Sequence, residues 1–140
     1  MPISLIAPPH TPFNERGDVN LGLIEPLAAH LARSRVSGVF VCGSTGEGSS
    51  LSVGERKDVS EAWVDASSKH GLDVIVHVGT NSQREAMELA AHSADLGVRA
   101  ISSFAPSYFR PQSVDDLIGF FAPIADAAGD TPFYFYDIPA

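Results

Sequence analysis

The sequence predicts an α/β fold built on a parallel sheet, and three observations support this prediction. Short apolar runs alternate with longer amphipathic segments along the 140 residues. The apolar runs are mostly continuous rather than alternating, which is typical of strands buried on both faces. Residues suited to helix N-caps precede most of the amphipathic segments, and glycines follow them. Because strand and helix alternate, we expect right-handed crossovers between parallel strands.

Five strands and four helices are predicted. The strands are expected at residues 3–7, 38–42, 73–78, 99–104 and 133–136. The first helix is expected at residues 21–35, although Pro26 falls within it. The next three helices are expected to begin after Ser52, Ser82 and Ser113 and to end at Gly71, Gly97 and Gly129.

The helix starts carry specific signals. Glu55 and Glu85 lie three residues after Ser52 and Ser82, a spacing that predicts a capping box in both helices. The third helix has the weaker aspartate at this position. Two stripes at helical spacing are expected to pack against the sheet, namely Val59, Ala62, Trp63 and Ala66, and Val114, Leu117, Ile118 and Phe121. Pro123 predicts a kink or an early stop in the last helix.

This alternation fits either an open doubly wound sheet or part of a (β/α)8 TIM barrel. A closed barrel needs eight strands and typically about 250 residues. In the barrel alternative, residues 1–140 are the N-terminal portion of a single barrel, covering about five strands and four helices. We expect such a chain to be a fragment of a longer enzyme, because a severed barrel exposes strand edges that favour aggregation.

Composition excludes several classes of protein. The chain is 44% hydrophobic and 19% charged, as in an ordinary globular domain. No apolar run approaches the roughly 20 residues that span a bilayer, so no membrane association is expected. A net charge of −8 without a Lys/Arg cluster disfavours nucleic-acid binding. The single cysteine, Cys42, cannot form an internal disulfide, which favours a reducing, cytoplasmic compartment.

The chemistry is expected at the carboxyl ends of the strands, where ligands bind in both architectures. The second strand is followed by a loop with three glycines, at residues 43–48, that contains Ser44 and Thr45. Outward backbone N–H groups and two hydroxyls suit a carboxylate or phosphate. The alternative is a loop whose glycines serve only to turn the chain. The glycine spacing matches neither the Walker A loop nor the G-x-G-x-x-G motif, the two common phosphate-binding patterns.

Two tyrosines are further candidates. Tyr136 ends the fifth strand, where a phenol could donate or accept a proton, although an aromatic-rich strand could also use it for packing. Tyr108 lies in a loop stiffened by two prolines and could instead be an interface or surface residue. His77 is expected to be a core residue with satisfied hydrogen bonds rather than a metal ligand, and Cys42 a small buried hydrophobe.

These motifs together resemble the pyruvate-dependent aldolases of the dihydrodipicolinate synthase/N-acetylneuraminate lyase family. The resemblance covers the whole chain and favours the lyase branch. Asp137 stands where the family more commonly has Asn or His. The matching segments are 43–47 (Gly-Ser-Thr-Gly-Glu), 77–79 (His-Val-Gly), 108–111 (Tyr-Phe-Arg-Pro) and 136–140 (Tyr-Asp-Ile-Pro-Ala).

The resemblance implies a class I aldolase on a (β/α)8 barrel, usually a homotetramer, that uses no metal and no other cofactor. Such an enzyme cleaves a keto acid, here N-acetylneuraminate, through a lysine Schiff base. By position, Ser44 and Thr45 would hold the pyruvate carboxylate, and Ser44 would also join a proton relay. Tyr136 would move the proton, and Tyr108 would reach across a subunit interface.

The resemblance places the Schiff-base lysine at the end of a sixth strand, beyond residue 140. The chain contains only Lys57 and Lys69, both in the predicted second helix. This chain alone is therefore expected to be inactive. The alternatives within the enzyme class are dihydrodipicolinate synthase and a 2-keto-3-deoxy sugar acid aldolase. A different class is a non-catalytic half-barrel that serves as an assembly module.

Overall fold

Five parallel strands form one sheet in the computed structural model, which describes residues 4–138. The strands are β1 (Ile6–Ala7), β2 (Gly38–Val41), β3 (Asp73–His77), β4 (Ala100–Ser103) and β5 (Phe133–Phe135). The helices are α1 (Ile24–Arg33), α2 (Val53–His70), α3 (Gln83–Asp95) and α4 (Val114–Ala127). Short 3-10 turns at Leu21–Leu23 and Gly48–Ser50 precede α1 and α2.

The strand order decides between the two predicted architectures. The strands pair in the order β1-β2-β3-β4-β5, so each strand lies beside its neighbour in sequence. A doubly wound sheet reverses direction at a switch point, and no reversal occurs across these five strands. Each helix also packs against the next one, as on the outside of a barrel. The chain therefore forms five successive strands of a (β/α)8 barrel, and the doubly wound alternative is wrong.

All five predicted strands are present, but each is shorter than expected. β2 ends at Val41 because Cys42 has a positive φ of 56°, which turns the chain out of the strand. The other predicted strands also lose one or two terminal residues. Ile3, where the first predicted strand begins, lies outside the described residues.

The two faces of the sheet have different roles. On the outer face, Val39, Val41, Val74 and Val76 are buried beneath the helices, together with Trp63 of α2. The inner face carries the alternate residues of the same strands. Four rings contact one another there, belonging to Phe40, His77, Phe104 and Tyr136. The inner face is thus an aromatic surface at the carboxyl ends of the strands.

The helix caps follow the predictions with one exception. In α2, the Ser52 hydroxyl accepts a hydrogen bond from the Glu55 N–H at 3.2 Å, and the Glu55 carboxylate accepts one from the Ser52 N–H at 2.8 Å. In α3, Ser82 also caps the Glu85 N–H. The Glu85 carboxylate, however, accepts its hydrogen bond from the Thr80 hydroxyl at 3.2 Å. The predicted second capping box is therefore wrong, because Thr80 competes for its carboxylate.

The α2 stripe packs as predicted, whereas the α4 stripe does so only in part. Val59, Trp63 and Ala66 are buried. In α4, Phe121 packs against Phe133 and Phe135 of β5, but Val114 and Ile118 are 72% and 57% exposed. The expectation that the whole α4 stripe faces the sheet is wrong, because β5 is covered only by the second half of the helix.

Neither proline ends its helix. Pro26 lies in the first turn of α1, where backbone N–H groups have no partner within the helix. α4 continues past Pro123 to Ala127, so the predicted early stop is wrong. Pro123 cannot donate to the Gly119 carbonyl one turn earlier. The Gln83 side chain of α3 donates to that carbonyl instead, at 2.9 Å, and to the Phe120 carbonyl at the same distance.

No helix within residues 4–138 combines the length and the apolar character needed to cross a bilayer.

Candidate functional site

The loop after β2 is held in a compact shape by backbone contacts. Its two ends turn at Cys42 and Glu47, which both have positive φ. Within the loop, the Gly48 N–H donates to the Gly43 carbonyl at 3.1 Å. A side chain at Gly48 would overlap the carbonyl oxygen of Cys42, so only glycine fits there. The buried Thr11 hydroxyl from the first loop donates to the Gly46 carbonyl at 2.6 Å.

This geometry leaves the tip of the loop available to a ligand. The Ser44 side chain is exposed and the Thr45 side chain is half-buried. Within residues 4–138, no hydrogen bond uses the backbone N–H groups of Ser44, Thr45 or Gly46. Gly46 is buried, so the loop offers two hydroxyls and the N–H groups of Ser44 and Thr45, which can together bind an anion such as a carboxylate.

Ser44 and Tyr136 line the same cavity, whose volume is about 880 Å³. The cavity lies at the carboxyl ends of β4 and β5, and its wall also includes Ser49, Phe104, Arg110 and Asp137. Tyr136 is fixed by its backbone N–H, which donates to the Ser103 carbonyl at 2.9 Å. Its ring contacts the Phe40 ring edge-on at 5.3 Å between centroids. The structure therefore brings together two of the four predicted site residues.

The other two predicted residues, Thr45 and Tyr108, do not line this cavity. Thr45 sits beside Ser44 but is not part of the cavity wall. Tyr108 is 79% exposed and contacts the equally exposed Phe109 edge-on at 5.0 Å. Its loop is anchored by the Asn81 side chain, whose oxygen accepts hydrogen bonds from the Ser107 and Tyr108 N–H groups at 2.8 and 3.1 Å. The backbone at Tyr108 is thus anchored, and its exposed ring is not part of the cavity wall. The catalytic and binding roles of these four residues stay predictions.

Both lysines lie on α2, as the sequence predicts, and both form ion pairs with neighbouring helices. The Lys57 ammonium contacts Glu88 of α3 at 2.6 Å, and the Lys69 ammonium contacts Glu25 of α1 at 2.9 Å. Neither belongs to the cavity wall. Their position on the outer layer of helices leaves no lysine of residues 4–138 on the inner face.

Sequence reasoning missed Arg56, whose charge supports the end of β3. Arg56 is 3% exposed, and its guanidinium donates to the carbonyls of His77 and Gly79 at 2.6 and 3.0 Å. Burial lowers the pKa of this guanidinium. An arginine in the first turn of an amphipathic helix is normally a surface residue, so the sequence carries no signal for this role. Sequence reasoning also missed Asn81, which anchors the Tyr108 loop.

His77 is buried as predicted, but its hydrogen bonds are not satisfied. The side chain is 2% exposed, and neither ring nitrogen has a hydrogen-bond partner among residues 4–138. Burial, helped by the nearby Arg56 charge, lowers the pKa of His77 to about 3, so the ring is neutral. Cys42 is 1% exposed as predicted, and burial raises the pKa of its thiol.

Across the described range 4–138, His, Cys, Asp and Glu side chains form no group of three that could hold a metal ion. The Pro-Ala pair that completes the predicted motif after Tyr136, at residues 139 and 140, lies outside the described residues.

Comparison with known proteins identifies similar chains. A curated relative, N-acetylneuraminate lyase A of Xenopus laevis, is 44% identical over 136 residues, which cover 96% of this chain and 45% of the relative. The solved structure of Proteus mirabilis N-acetylneuraminate lyase is 44% identical with a TM-score of 0.92, covering 95% of this chain and 45% of that chain. The chain thus spans less than half the length of the relatives it matches.

The similarity extends to the other branch of the family. The structure of dihydrodipicolinate synthase from Cyanidioschyzon merolae with lysine bound is 34% identical, with a TM-score of 0.90, and covers 97% of this chain and 46% of that chain. The sequence profile of the dihydrodipicolinate synthetase family matches residues 1–140, which is the entire chain. Because the profile match is complete and both branches share this fold, the chain belongs to the dihydrodipicolinate synthetase family.

Proposed function

We propose that the protein carrying this chain is a pyruvate-dependent class I aldolase that cleaves N-acetylneuraminate to N-acetylmannosamine and pyruvate. The observation that carries the proposal is the shared cavity of Ser44 and Tyr136. These residues follow two different strands, and the parallel sheet places both at the edge where barrels of this kind bind their ligands. Identity of 44% to N-acetylneuraminate lyases favours this substrate.

The loop at Ser44 and Thr45 is proposed to hold the carboxylate of the keto acid. Ser44 lines the cavity, and the backbone N–H groups of Ser44 and Thr45, which have no hydrogen-bond partner among residues 4–138, belong to the same loop. Hydrogen bonds from such donors to a carboxylate are each stronger than bonds between neutral groups. Fixing one end of a small substrate in this way sets the position of its ketone relative to Tyr136.

Tyr136 is proposed to carry the proton. During cleavage the Tyr136 oxygen would accept the proton of the substrate hydroxyl while the phenol's own proton passes to the substrate carboxylate, and in the reverse direction both transfers run backwards. The packing against Phe40 and the backbone bond to Ser103 hold the ring in one place, which proton transfer over a short distance requires.

The electron sink is proposed to come from a lysine outside these 140 residues. Its neutral amine adds to the substrate ketone, a proton is taken up and water leaves, which gives a protonated imine. The bond between the α carbon and the hydroxyl-bearing β carbon then breaks, and its electron pair moves towards the imine to form an enamine. The β carbon leaves as the aldehyde of N-acetylmannosamine as its hydroxyl proton passes to Tyr136. Protonation of the enamine carbon and addition of water release pyruvate and restore the amine.

The assembly is proposed to be a homo-oligomer, a tetramer in the resembling family, that works in the cytoplasm. Tyr108 and Phe109 support this, because they form an aromatic pair that is 79% and 84% exposed. In an oligomer, Tyr108 would reach the site of a neighbouring copy. Sedimentation of the wild type and of Tyr108→Ala tests this, since a subunit contact predicts weaker association for the variant alone.

Experiment can distinguish three alternatives from this proposal. Condensation of pyruvate with aspartate semialdehyde is favoured by the 34% identity to a dihydrodipicolinate synthase, and 2-keto-3-deoxy sugar acid cleavage would use the same carboxylate and proton sites. The alternative outside the enzyme class is a non-catalytic half-barrel that pairs with a second polypeptide.

The test uses a family-length polypeptide that contains these residues. Pyruvate release from N-acetylneuraminate should exceed both pyruvate consumption with aspartate semialdehyde and cleavage of a 2-keto-3-deoxy sugar acid. Tyr136→Phe should lower kcat by about 10²–10⁴-fold. Ser44→Ala should lower kcat/KM by about tenfold to a hundredfold, as expected for a bond to a charged group. The matched controls, Tyr134→Phe and Ser50→Ala, lie outside the cavity wall and should change either constant little.

Borohydride reduction with pyruvate separates the enzyme from the assembly module. The 140-residue chain should gain no mass, because Lys57 and Lys69 are ion-paired on the outer helices. The family-length polypeptide should be labelled at a lysine outside this chain. Labelling of Lys57 or Lys69 would contradict the proposed position of the electron sink, and no labelling of either protein would favour the non-catalytic alternative.

A further inference from the structure

His77 lies directly behind the wall of the candidate site. It is the last residue of β3, on the inner face of the sheet. Its ring centroid lies 4.7 Å from that of Phe104 and 5.6 Å from that of Tyr136, and the Tyr136 contact is edge-on at 83°. Phe104 and Tyr136 both belong to the cavity wall, whereas His77 does not. His77 therefore touches the site only through these two rings.

Packing alone does not explain a histidine at this position. A neutral imidazole carries one N–H donor and one acceptor nitrogen. Each costs about 1–3 kcal/mol when it is buried without a partner. The ring neighbours on either side, Phe40 and Phe104, show that phenylalanine is accommodated in this layer. A phenylalanine at position 77 would fill similar space without this cost.

The residues around His77 leave the Nε2 edge of its imidazole clear of other side chains. A β carbon at Gly79 would lie 2.7 Å from His77 Nε2 and 3.0 Å from the Phe104 backbone nitrogen. Glycine at this position thus keeps side-chain atoms away from Nε2. The backbone of His77 is fixed from behind by the Arg56 guanidinium, which donates to its carbonyl. Ring and backbone are both held, yet both ring nitrogens remain without a partner in the described part of the chain.

We propose that His77 is a positioning residue for Tyr136, which it holds edge-on behind the cavity wall while one of its ring nitrogens hydrogen-bonds to ordered water on the inner face. Water is the fitting partner, because it can both donate to the acceptor nitrogen and accept from the N–H. This arrangement supplies hydrogen bonding next to the phenol without placing a cation there. The inference rests on the proposed function only for the catalytic role of Tyr136.

The first test measures the imidazole itself in the 140-residue chain and needs no substrate. Imidazole ¹⁵N spectra of histidine-labelled protein contain signals from five histidines, and His77 is assigned by its loss in His77→Phe. The proposal expects one neutral tautomer, with ¹⁵N shifts displaced from the free values in the direction that hydrogen bonding produces. Shifts equal to those of a neutral imidazole without hydrogen bonds would overturn the water contact.

The second test follows the phenol. The chain has three tyrosines, so ring-labelled protein gives three sets of signals, with Tyr136 assigned by Tyr136→Phe. His77→Phe should shift the Tyr136 signals and leave those of Tyr108 in place. His77→Asn keeps one hydrogen-bond donor and one acceptor but has no ring. This variant should retain the hydrogen bond to water and lose the edge-on contact with the Tyr136 ring. Unchanged Tyr136 signals in His77→Phe would show that shape alone is needed. If His77→Phe fails to fold, His77→Asn and the wild-type ¹⁵N shifts still decide the question.

The third test is kinetic and uses the family-length polypeptide. His77→Phe should lower kcat about tenfold or more with KM within about threefold, because the phenol is misplaced while the carboxylate site is intact. Equal kcat for His77→Phe and wild type would overturn the positioning role. The two spectroscopic tests use no substrate, so a polypeptide that cleaves none of the offered substrates contradicts the proposed function without deciding the role of His77.

Discussion

Gly48 sets the shape of the loop that carries Ser44 and Thr45. Its α carbon faces the backbone of Cys42, and an added β carbon would overlap the Cys42 carbonyl. The overlap is with backbone rather than with the end of a flexible side chain, so it cannot be relieved by a rotamer change. Gly48→Ala should therefore lower the free energy of unfolding by about 3 kcal/mol, at the upper end of the range for overpacking.

Gly119 in α4 is the matched control for this change, because nothing lies within 4 Å of an added β carbon there. Gly119→Ala should raise the free energy of unfolding by up to about 1 kcal/mol through helix propensity. Urea denaturation of the two variants and the wild type is the measurement. Equal stability of Gly48→Ala and the wild type would show that the loop can move away from Cys42.

At the scale of the elements, a side-chain hydrogen bond from α3 replaces a backbone hydrogen bond that is missing within α4. Pro123 leaves the Gly119 carbonyl without its helical donor, and Gln83 supplies an amide donor from the first residue of α3. Gln83→Leu should cost about 1–2 kcal/mol, because that carbonyl then lacks a partner. In the background of Pro123→Ala, which restores the N–H at position 123, the same substitution should cost clearly less.

A double-mutant cycle on Gln83 and Pro123 measures this difference as a coupling free energy. The four proteins are compared by chemical denaturation under the same conditions. Additive effects within about 0.3 kcal/mol would contradict the compensation, since sites without a shared partner usually behave in this way.

For the whole molecule, the sequence predicted the layout better than the side-chain contacts. Continuous apolar runs and Ser caps are local signals, so they placed every strand and the starts of α2, α3 and α4. The strand–helix pattern alone left the choice between a barrel and a doubly wound sheet open, because that choice depends on pairings between distant residues. The family resemblance favoured the barrel, and the strand order confirms it. Arg56 and Asn81 were missed because their roles arise only when β3, α2 and the Tyr108 loop meet in space.

Stability should also depend on the protonation of His77, with a sign that follows from its burial. In the folded chain the pKa of His77 is lowered to about 3, whereas the ordinary value is 6.5. Between these values the unfolded chain binds a proton that the folded chain does not, so this contribution to stability is present above pH 6.5 and is lost as pH falls. The slope from this one group is at most about 1.4 kcal/mol per pH unit.

The window from pH 5 to pH 6.5 isolates this effect. Hydrogen bonding and the charge of Lys69 lower the pKa of Glu25, and hydrogen bonds from Ser52 lower that of Glu55. Both carboxylates have an ordinary pKa of 4.5, so the stability they contribute is lost only at lower pH. Urea denaturation at several pH values in this window should give a steeper decline for the wild type than for His77→Asn. The other four histidines are present in both proteins, so their contributions cancel in the comparison. If the free energy of unfolding changes with pH in the same way for both proteins, His77 takes up a proton in the folded chain. The inference that its ring is neutral beside Tyr136 would then be wrong.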